Sequence, residues 1–303
     1  MRLVFMGTSG FAVPILAALH SSHTVVAVVT QPDRPSGRGQ HVHESPVKKQ
    51  AAEPRLNIHQ PERVRSEDFV ATMESLLPLD VMVVAAFGQI IPKSILDMPR
   101  LGCVNVHASL LPSYRGAAPI QHAIMNGETV TGVTTMLMDT GLDTGAILLQ
   151  REVPILQEET AGELEVRLSD TGAQLLLETL VGLRNSSITA IPQDSEQVTL
   201  APSLKREQAL VDWNMPASTI VNRVRAFSPR PGAYAEVGGR MLKIWRARAV
   251  EIDGGAPGRP VRVSDEGLIV ATSSGGVLLT EVQPENRKRM SGAEFARGAR
   301  ISN

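Results

Sequence analysis

Three short, almost unbroken apolar runs constrain this chain more than anything else in it: TVVAVVT at 24–30, DVMVVAAF at 80–87 and GCVNVH at 102–107. A strand with one face in water alternates apolar with polar residues, whereas a strand that is apolar throughout is covered on both faces. Covered strands of this kind belong to a parallel sheet sandwiched between helices. Helical spacing does separate the runs, in FAVPILAALHSS (11–22), SEDFVATMESLL (66–77) and APIQHAIMNG (118–127). RLVFM (2–6) adds a strand at the start, while GVTTMLMD (132–139) and GAILLQREV (145–153) read as a strand pair. Two helix starts carry chemical marks. Ser45 and Pro46 supply an N-cap and a proline at the first helical position, and Thr160 with Glu163 matches a capping box ahead of the long pattern at 161–183. The expectation is an α/β fold with a mostly parallel, doubly wound sheet.

Past residue 185 the pattern changes. A polar stretch without periodicity leads to a helix, ASTIVNRVRAF (217–227), and then short strands recur between glycines: GAYAEV, RMLKIWRARAVEI, GRPVRVS, GLIVATS and GVLLTEVQ. Five strands at this spacing are compatible with a small OB-like barrel. The expected organisation is therefore a first domain over 1–187, a linker over 188–206 and a second domain over 207–303.

Bulk properties narrow the function classes. The chain has 303 residues, 43% of them hydrophobic, which is enough for two cores. No stretch approaches the ~20 apolar residues of a membrane span. The apolar opening is broken at Gly7, Thr8, Ser9 and Gly10, unlike the core of a signal peptide. A single cysteine, Cys103, precludes an internal disulfide and suits a reducing compartment, so a cytoplasmic location is expected. Charge is unevenly spread. Residues 1–204 hold 14 Lys and Arg against 21 Asp and Glu, whereas residues 205–303 hold 16 against 10, a net +6. A basic second half points to a polyanionic partner, although modest basic surfaces are common on soluble domains.

Several motifs invite chemistry. The glycines of FMGTSGFA follow a strand and precede a helix, but only Gly7 and Gly10 are present, short of the dinucleotide fingerprint, and a structural tight turn accounts for them. Between residues 34 and 49, Arg34, Arg38, Lys48 and Lys49 stand against one acid, Glu44, among glycines and prolines. A basic loop at the carboxyl end of a strand can grip phosphates, and it can equally be a solvated loop. His41 and His43 lack the further ligands a metal needs, so no metal is expected.

Asn105 and His107 are the sharper feature. Two residues apart on a strand, they share a face, where a core would have to satisfy two polar groups. At the carboxyl end of a parallel strand the pair makes sense, because ligands of open α/β sheets bind there and an amide beside an imidazole can donate to a developing oxyanion. Asp139 and Asp143, in a glycine-rich loop, offer an acid to hold the imidazole in one protonation state. A hydrogen-bonded structural loop would explain the same residues. No nucleophile stands out, since Ser109 is not in a G-x-S-x-G elbow and Cys103 lies within the apolar strand. Direct transfer between two bound substrates is expected.

NVHASLLPSYRGAAPI (105–120) followed by MDTGLDTGAIL (138–148) closely resembles the signature of the folate-dependent formyltransferases. The likeness runs on through FMGTSGFAVPIL, VTQPDRPSGRGQ, SPVKKQA, LKREQALVDWN and VRAFSPRPGAY, nearly the whole chain. It implies a Rossmann-like catalytic domain followed by an OB-like barrel. Carried over position by position, it makes Asn105, His107 and Asp143 the catalytic set and lines the folate site with Ser109, Leu110, Leu111 and Pro112. The co-substrate implied is 10-formyltetrahydrofolate. The basic segment with Arg34, Arg38, Lys48 and Lys49, and the basic second domain, point to the branch whose acceptor is the α-amine of methionine on initiator tRNA. A monomer is expected. A small amine, such as a nucleotide sugar or glycinamide ribonucleotide, is the alternative acceptor within the family. A noncatalytic RNA-binding protein on the same scaffold is the alternative outside it.

Overall fold

The computed structural model describes residues 1–36 and 41–301. Arg38, one of the cations expected to grip phosphate, lies outside the described residues. The chain divides into two compact units. The first comprises residues 1–116, 132–153 and 165–200, and the second comprises 117–131, 154–164 and 201–303.

The first unit is built on a seven-stranded sheet. In chain order its strands are β1 (Arg2–Gly7), β2 (Thr24–Val29), β5 (Ile58–His59), β6 (Val81–Ala85), β7 (Cys103–His107), β8 (Val130–Leu137) and β9 (Ile147–Pro154). The short strands β3 (Arg34–Ser36) and β4 (His41–His43) form a separate ribbon. Across the sheet the order is β5-β2-β1-β6-β7-β8-β9. Pairing is parallel from β5 through β7, and β8 runs antiparallel to β7. The apolar runs dictate this arrangement. Val81 through Ala85 and Cys103 through His107 are buried on both faces, as expected of strands covered by helices. The chain winds outward from β1 to β2 and β5, then returns to β6 on the other side of β1. Such a reversal opens a crevice at the carboxyl ends of the strands, where ligands of this architecture bind.

The helices connecting these strands are α1 (Ala12–Ser22), α2 (Pro46–Ala52), α3 (Glu67–Glu74), α4 (Lys93–Leu96), α5 (Pro119–Met125) and α6 (Ala161–Arg184). Ser45 caps α2 by accepting from the Lys48 N–H at 3.0 Å. At α6 the Thr160 N–H donates to the Glu163 carboxylate at 2.9 Å, and the Glu163 N–H donates back to the Thr160 hydroxyl at 3.4 Å. Gly172 lies over the sheet, where an added methyl would sit 2.9 Å from Val106. The β3–β4 ribbon is a departure from expectation. Arg34 pairs with His43 and Pro35 with Val42 in what the composition suggested was loop. A two-stranded ribbon tolerates proline because its outer edge needs no donor.

The second unit carries an antiparallel sheet of β10 (Ala233–Val237), β11 (Arg240–Val250), β12 (Pro260–Ser264), β13 (Gly267–Ala271), β14 (Gly276–Pro284) and β15 (Met290–Ser291). Its order is β10-β11-β14-β13-β12, with β15 on β14. α7 (Ala217–Phe227) packs against α5 and β11. Residues 154–164 belong here because α7 buries Arg225, whose guanidinium donates to the carbonyls of Glu159 at 2.9 Å and Leu156 at 2.8 Å. Burial lowers the Arg225 pKa from its ordinary value. A final helix, α8 (Gly292–Ala299), starts at a capping box of Ser291 and Glu294. Among the described residues no helix is long and apolar enough to cross a membrane.

Candidate active site

β7 ends at the crevice, and its period-two alternation sets Asn105 and His107 on one face. Both are buried, with 8% and 6% of their surface exposed. The chain turns at once, and the turn is held by named partners. The Ser109 hydroxyl donates to the Ser113 carbonyl at 2.6 Å. Thr134, opposite His107 on β8, donates to the Ser109 carbonyl at 2.7 Å and accepts from the Leu111 N–H at 3.0 Å. Gln150 donates to the Leu111 carbonyl at 2.8 Å. The backbone of the expected folate segment is therefore pinned, and Leu110 and Pro112 remain half-buried at its surface.

Asp143 enters from the loop between β8 and β9. Its Oδ2 accepts from the Gly116 N–H at 2.9 Å and lies 3.7 Å from His107 Nδ1, while its Oδ1 is 3.4 Å from Asn105 Nδ2. Two of the expected catalytic residues, Asn105 and His107, thus converge on the carboxylate of the third. His107 Nε2 lies 3.0 Å from the Tyr114 carbonyl. A carbonyl only accepts, so Nε2 carries a proton, and Nδ1 meanwhile faces a carboxylate.

Backbone strain accompanies this convergence. Asp143 and Tyr114 adopt left-handed conformations, with φ of 52° and 61°. Each costs ~1–2 kcal/mol relative to ordinary backbone. The loop needs glycine at position 145, where a Cβ would lie 1.7 Å from the Leu137 carbonyl. Asp139, the other acid in the loop, serves its own turn by accepting from the Gly141 N–H at 2.9 Å and the Thr144 hydroxyl at 2.6 Å.

The basic segment is more mixed. Arg34 is exposed and lies 3.5 Å from Glu62. Lys49 is exposed on α2. Lys48 is already engaged, in a short ion pair with Asp33 and 3.2 Å from Glu44. The hydrogen bond from Lys48, then one from Gln60, lowers the Asp33 pKa, and the same bond to Asp33 raises that of Lys48. Asp33 thus anchors the segment. Cys103 is buried, and desolvation pushes its thiol up to about 12, which removes it as a nucleophile. Among the described residues no group of three or more His, Cys, Asp or Glu side chains is placed to hold a metal.

The periodicity of β7 was enough to find Asn105 and His107. Thr134, Gln150, Tyr114 and Gly116 were not found by sequence reasoning, because they act through backbone atoms or tertiary contact. Only Thr134 left a trace, as a polar residue in an apolar strand.

A doubly wound sheet that gathers an amide, an imidazole and a carboxylate at its carboxyl edge has a candidate active site where proteins of this architecture bind their ligands. The particular family follows from comparison. Residues 1–180 match the formyl transferase family model and residues 203–300 match the model of the formyl transferase C-terminal domain. The chain is 50% identical over its whole length to a methionyl-tRNA formyltransferase of Solibacter usitatus, covering 97% of that protein. It is 48% identical to one of Geobacter sulfurreducens, over 99% of this chain and 95% of that protein. The fold is also that of an N-formyltransferase from Helicobacter canadensis in complex with folinic acid and dTDP-3-aminofucose. There the TM-score is 0.66 at 19% identity, covering 94% of this chain and 99% of that one. HypX from Aquifex aeolicus, in complex with tetrahydrofolic acid, gives 0.68 at 19% identity, and this chain spans 48% of it. The chain belongs to the formyl transferase family.

Proposed function

We propose that this protein transfers the formyl group of 10-formyltetrahydrofolate to the α-amine of methionine on initiator tRNA. The observation that carries the reading is likeness at about half identity along the whole chain to proteins named methionyl-tRNA formyltransferase. It is supported by a donor set suited to the chemistry.

Formyl transfer to an amine develops negative charge on the formyl oxygen, in need of preorganised donors. Asn105 has a second amide N–H beyond the long bond to Asp143, and His107 Nδ1 sits 3.7 Å from the carboxylate, too far for a good hydrogen bond. Both can turn to an oxyanion. Asp143 keeps the imidazole oriented, takes the proton that the amine sheds as the new C–N bond forms, and returns it through a water to the folate N10 as the C–N10 bond breaks. An α-amine has an ordinary pKa of ~7.7–8.0, so a usable fraction is neutral near pH 7 and little base strength is needed. Leu110, Leu111 and Pro112, with the Ser109 turn beneath them, form the wall against which the pterin packs. Arg34, Arg38 and Lys49 meet the phosphates of the acceptor stem, with Lys48 holding the segment in shape through Asp33. The basic residues beyond 205 supply further contacts to the tRNA, and the protein works as a cytoplasmic monomer.

The test is direct. Incubation with charged methionyl-tRNA and 10-formyltetrahydrofolate yields formylmethionine, and an uncharged-tRNA control yields none. Preferential formylation of a nucleotide-linked amino sugar would overturn the reading.

A further inference from the structure

Gln193 lies in the polar stretch after α6, far in sequence from the catalytic residues. Its amide nitrogen donates to the backbone carbonyls of Asp143 and Gly145, each at 2.8 Å. Its amide oxygen accepts from Arg115 Nε at 3.0 Å and Nη2 at 2.7 Å. Both hydrogens and both lone pairs of the amide are thereby used. Thr199, on the same stretch, accepts the Tyr114 N–H at 2.8 Å on its hydroxyl and the Arg115 N–H at 2.9 Å on its carbonyl.

These bonds join two strained places. One is Asp143, held left-handed. The other is the turn at Tyr114–Gly116, which gives a carbonyl to His107 and an N–H to Asp143. We infer that Gln193 is a positioning residue for the transfer reaction, fixing the Asp143 carboxylate relative to His107 by gripping the Asp143 backbone from one side and Arg115 from the other. It touches no reacting atom. Without it, Asp143 is free to relax toward ordinary backbone and carry its carboxylate away from the imidazole. A displacement of about 1 Å in such a group can cost ~100-fold in rate.

The inference rests on the assignment of Asn105, His107 and Asp143 to the reaction, and the experiment separates the two. Gln193→Ala and Gln193→Glu are compared with wild type and with Asn105→Ala, measuring kcat, both KM values and thermal unfolding. Glu keeps an acceptor for Arg115, as an ion pair, but cannot donate to the two carbonyls. Gln193→Glu is expected to unfold within a few degrees of wild type, with kcat down ~10- to 100-fold and both KM values within about threefold. A purely structural role would instead lower the unfolding temperature and spare kcat in the protein that remains folded. Normal kcat in Gln193→Glu beside a slow Asn105→Ala overturns the inference alone. Normal kcat in both overturns the catalytic assignment as well.

Discussion

The turn that follows β7 and the ribbon that follows β2 both leave the carboxyl edge of the same sheet, yet they are held in opposite ways. From Ser109 to Gly116 the chain is fixed by short hydrogen bonds with Thr134, Gln150, Thr199 and Asp143, most of them at least partly buried. Around Arg34 the contacts are ion pairs, and the Arg34–Glu62 pair has 68% and 78% of its side-chain surface exposed. Buried neutral hydrogen bonds give a fixed geometry that salt barely changes, whereas exposed charges give long-range attraction that salt screens. In the function proposed, one segment places atoms and the other attracts a polyanion.

The largest effect expected from breaking this contrast lies on the first segment. Asn105→Ala or His107→Ala should each slow formyl transfer by ~100-fold or more in single turnover, the usual loss for one oxyanion donor. The loss should be the same at low and high salt. Replacing both Arg34 and Lys49 by Ala should leave single-turnover chemistry intact and weaken binding of charged tRNA several-fold, with the salt slope flatter by about one for each phosphate contact removed. An unchanged slope would place the segment away from phosphate. Lys48→Met sharpens the contrast further, because its charge is answered by Asp33. It should leave the salt slope alone and mildly lower stability. The Asp33 pKa is depressed below 3.8 and the Lys48 pKa raised above 10.5, so the wild-type advantage should hold between those values. It is lost as pH falls through the depressed value of Asp33 or rises through the raised value of Lys48. Urea titrations at pH 3 and pH 7 check the acid side. The smallest effect concerns Cys103, which should resist alkylation at pH 8 in the native protein and react once it is unfolded.

Much of this was legible in the sequence, for reasons that can be traced. Parallel strands announce themselves because covering both faces removes polar residues, and Asn105 and His107 stand out against that background. The caps at Ser45 and Thr160 follow from local chemistry. Asp143 and Asp139 could not be separated by spacing, and the family resemblance chose between them before the geometry tied Asp139 to its own turn. The α8 helix could have been read, since Ser291 and Glu294 form the same kind of capping box as Thr160 and Glu163. The β3–β4 ribbon could not, because glycine and proline conceal strand periodicity. Gln193 left no signal at all. It is one amide in a polar stretch, and its importance lies wholly in which backbone carbonyls it meets.

That last feature bears on what counts as a part of this molecule. A fragment ending at residue 187 would retain Asn105, His107 and Asp143 and the whole seven-stranded sheet. It would lose Gln193 and Thr199, leaving the Tyr114 and Arg115 N–H groups and the Arg115 guanidinium without these partners. Such a piece could fold and still be a poor catalyst. The border that composition draws between two halves of the chain falls short of the border of the working site, and severing the protein there would remove the stay and keep the mast.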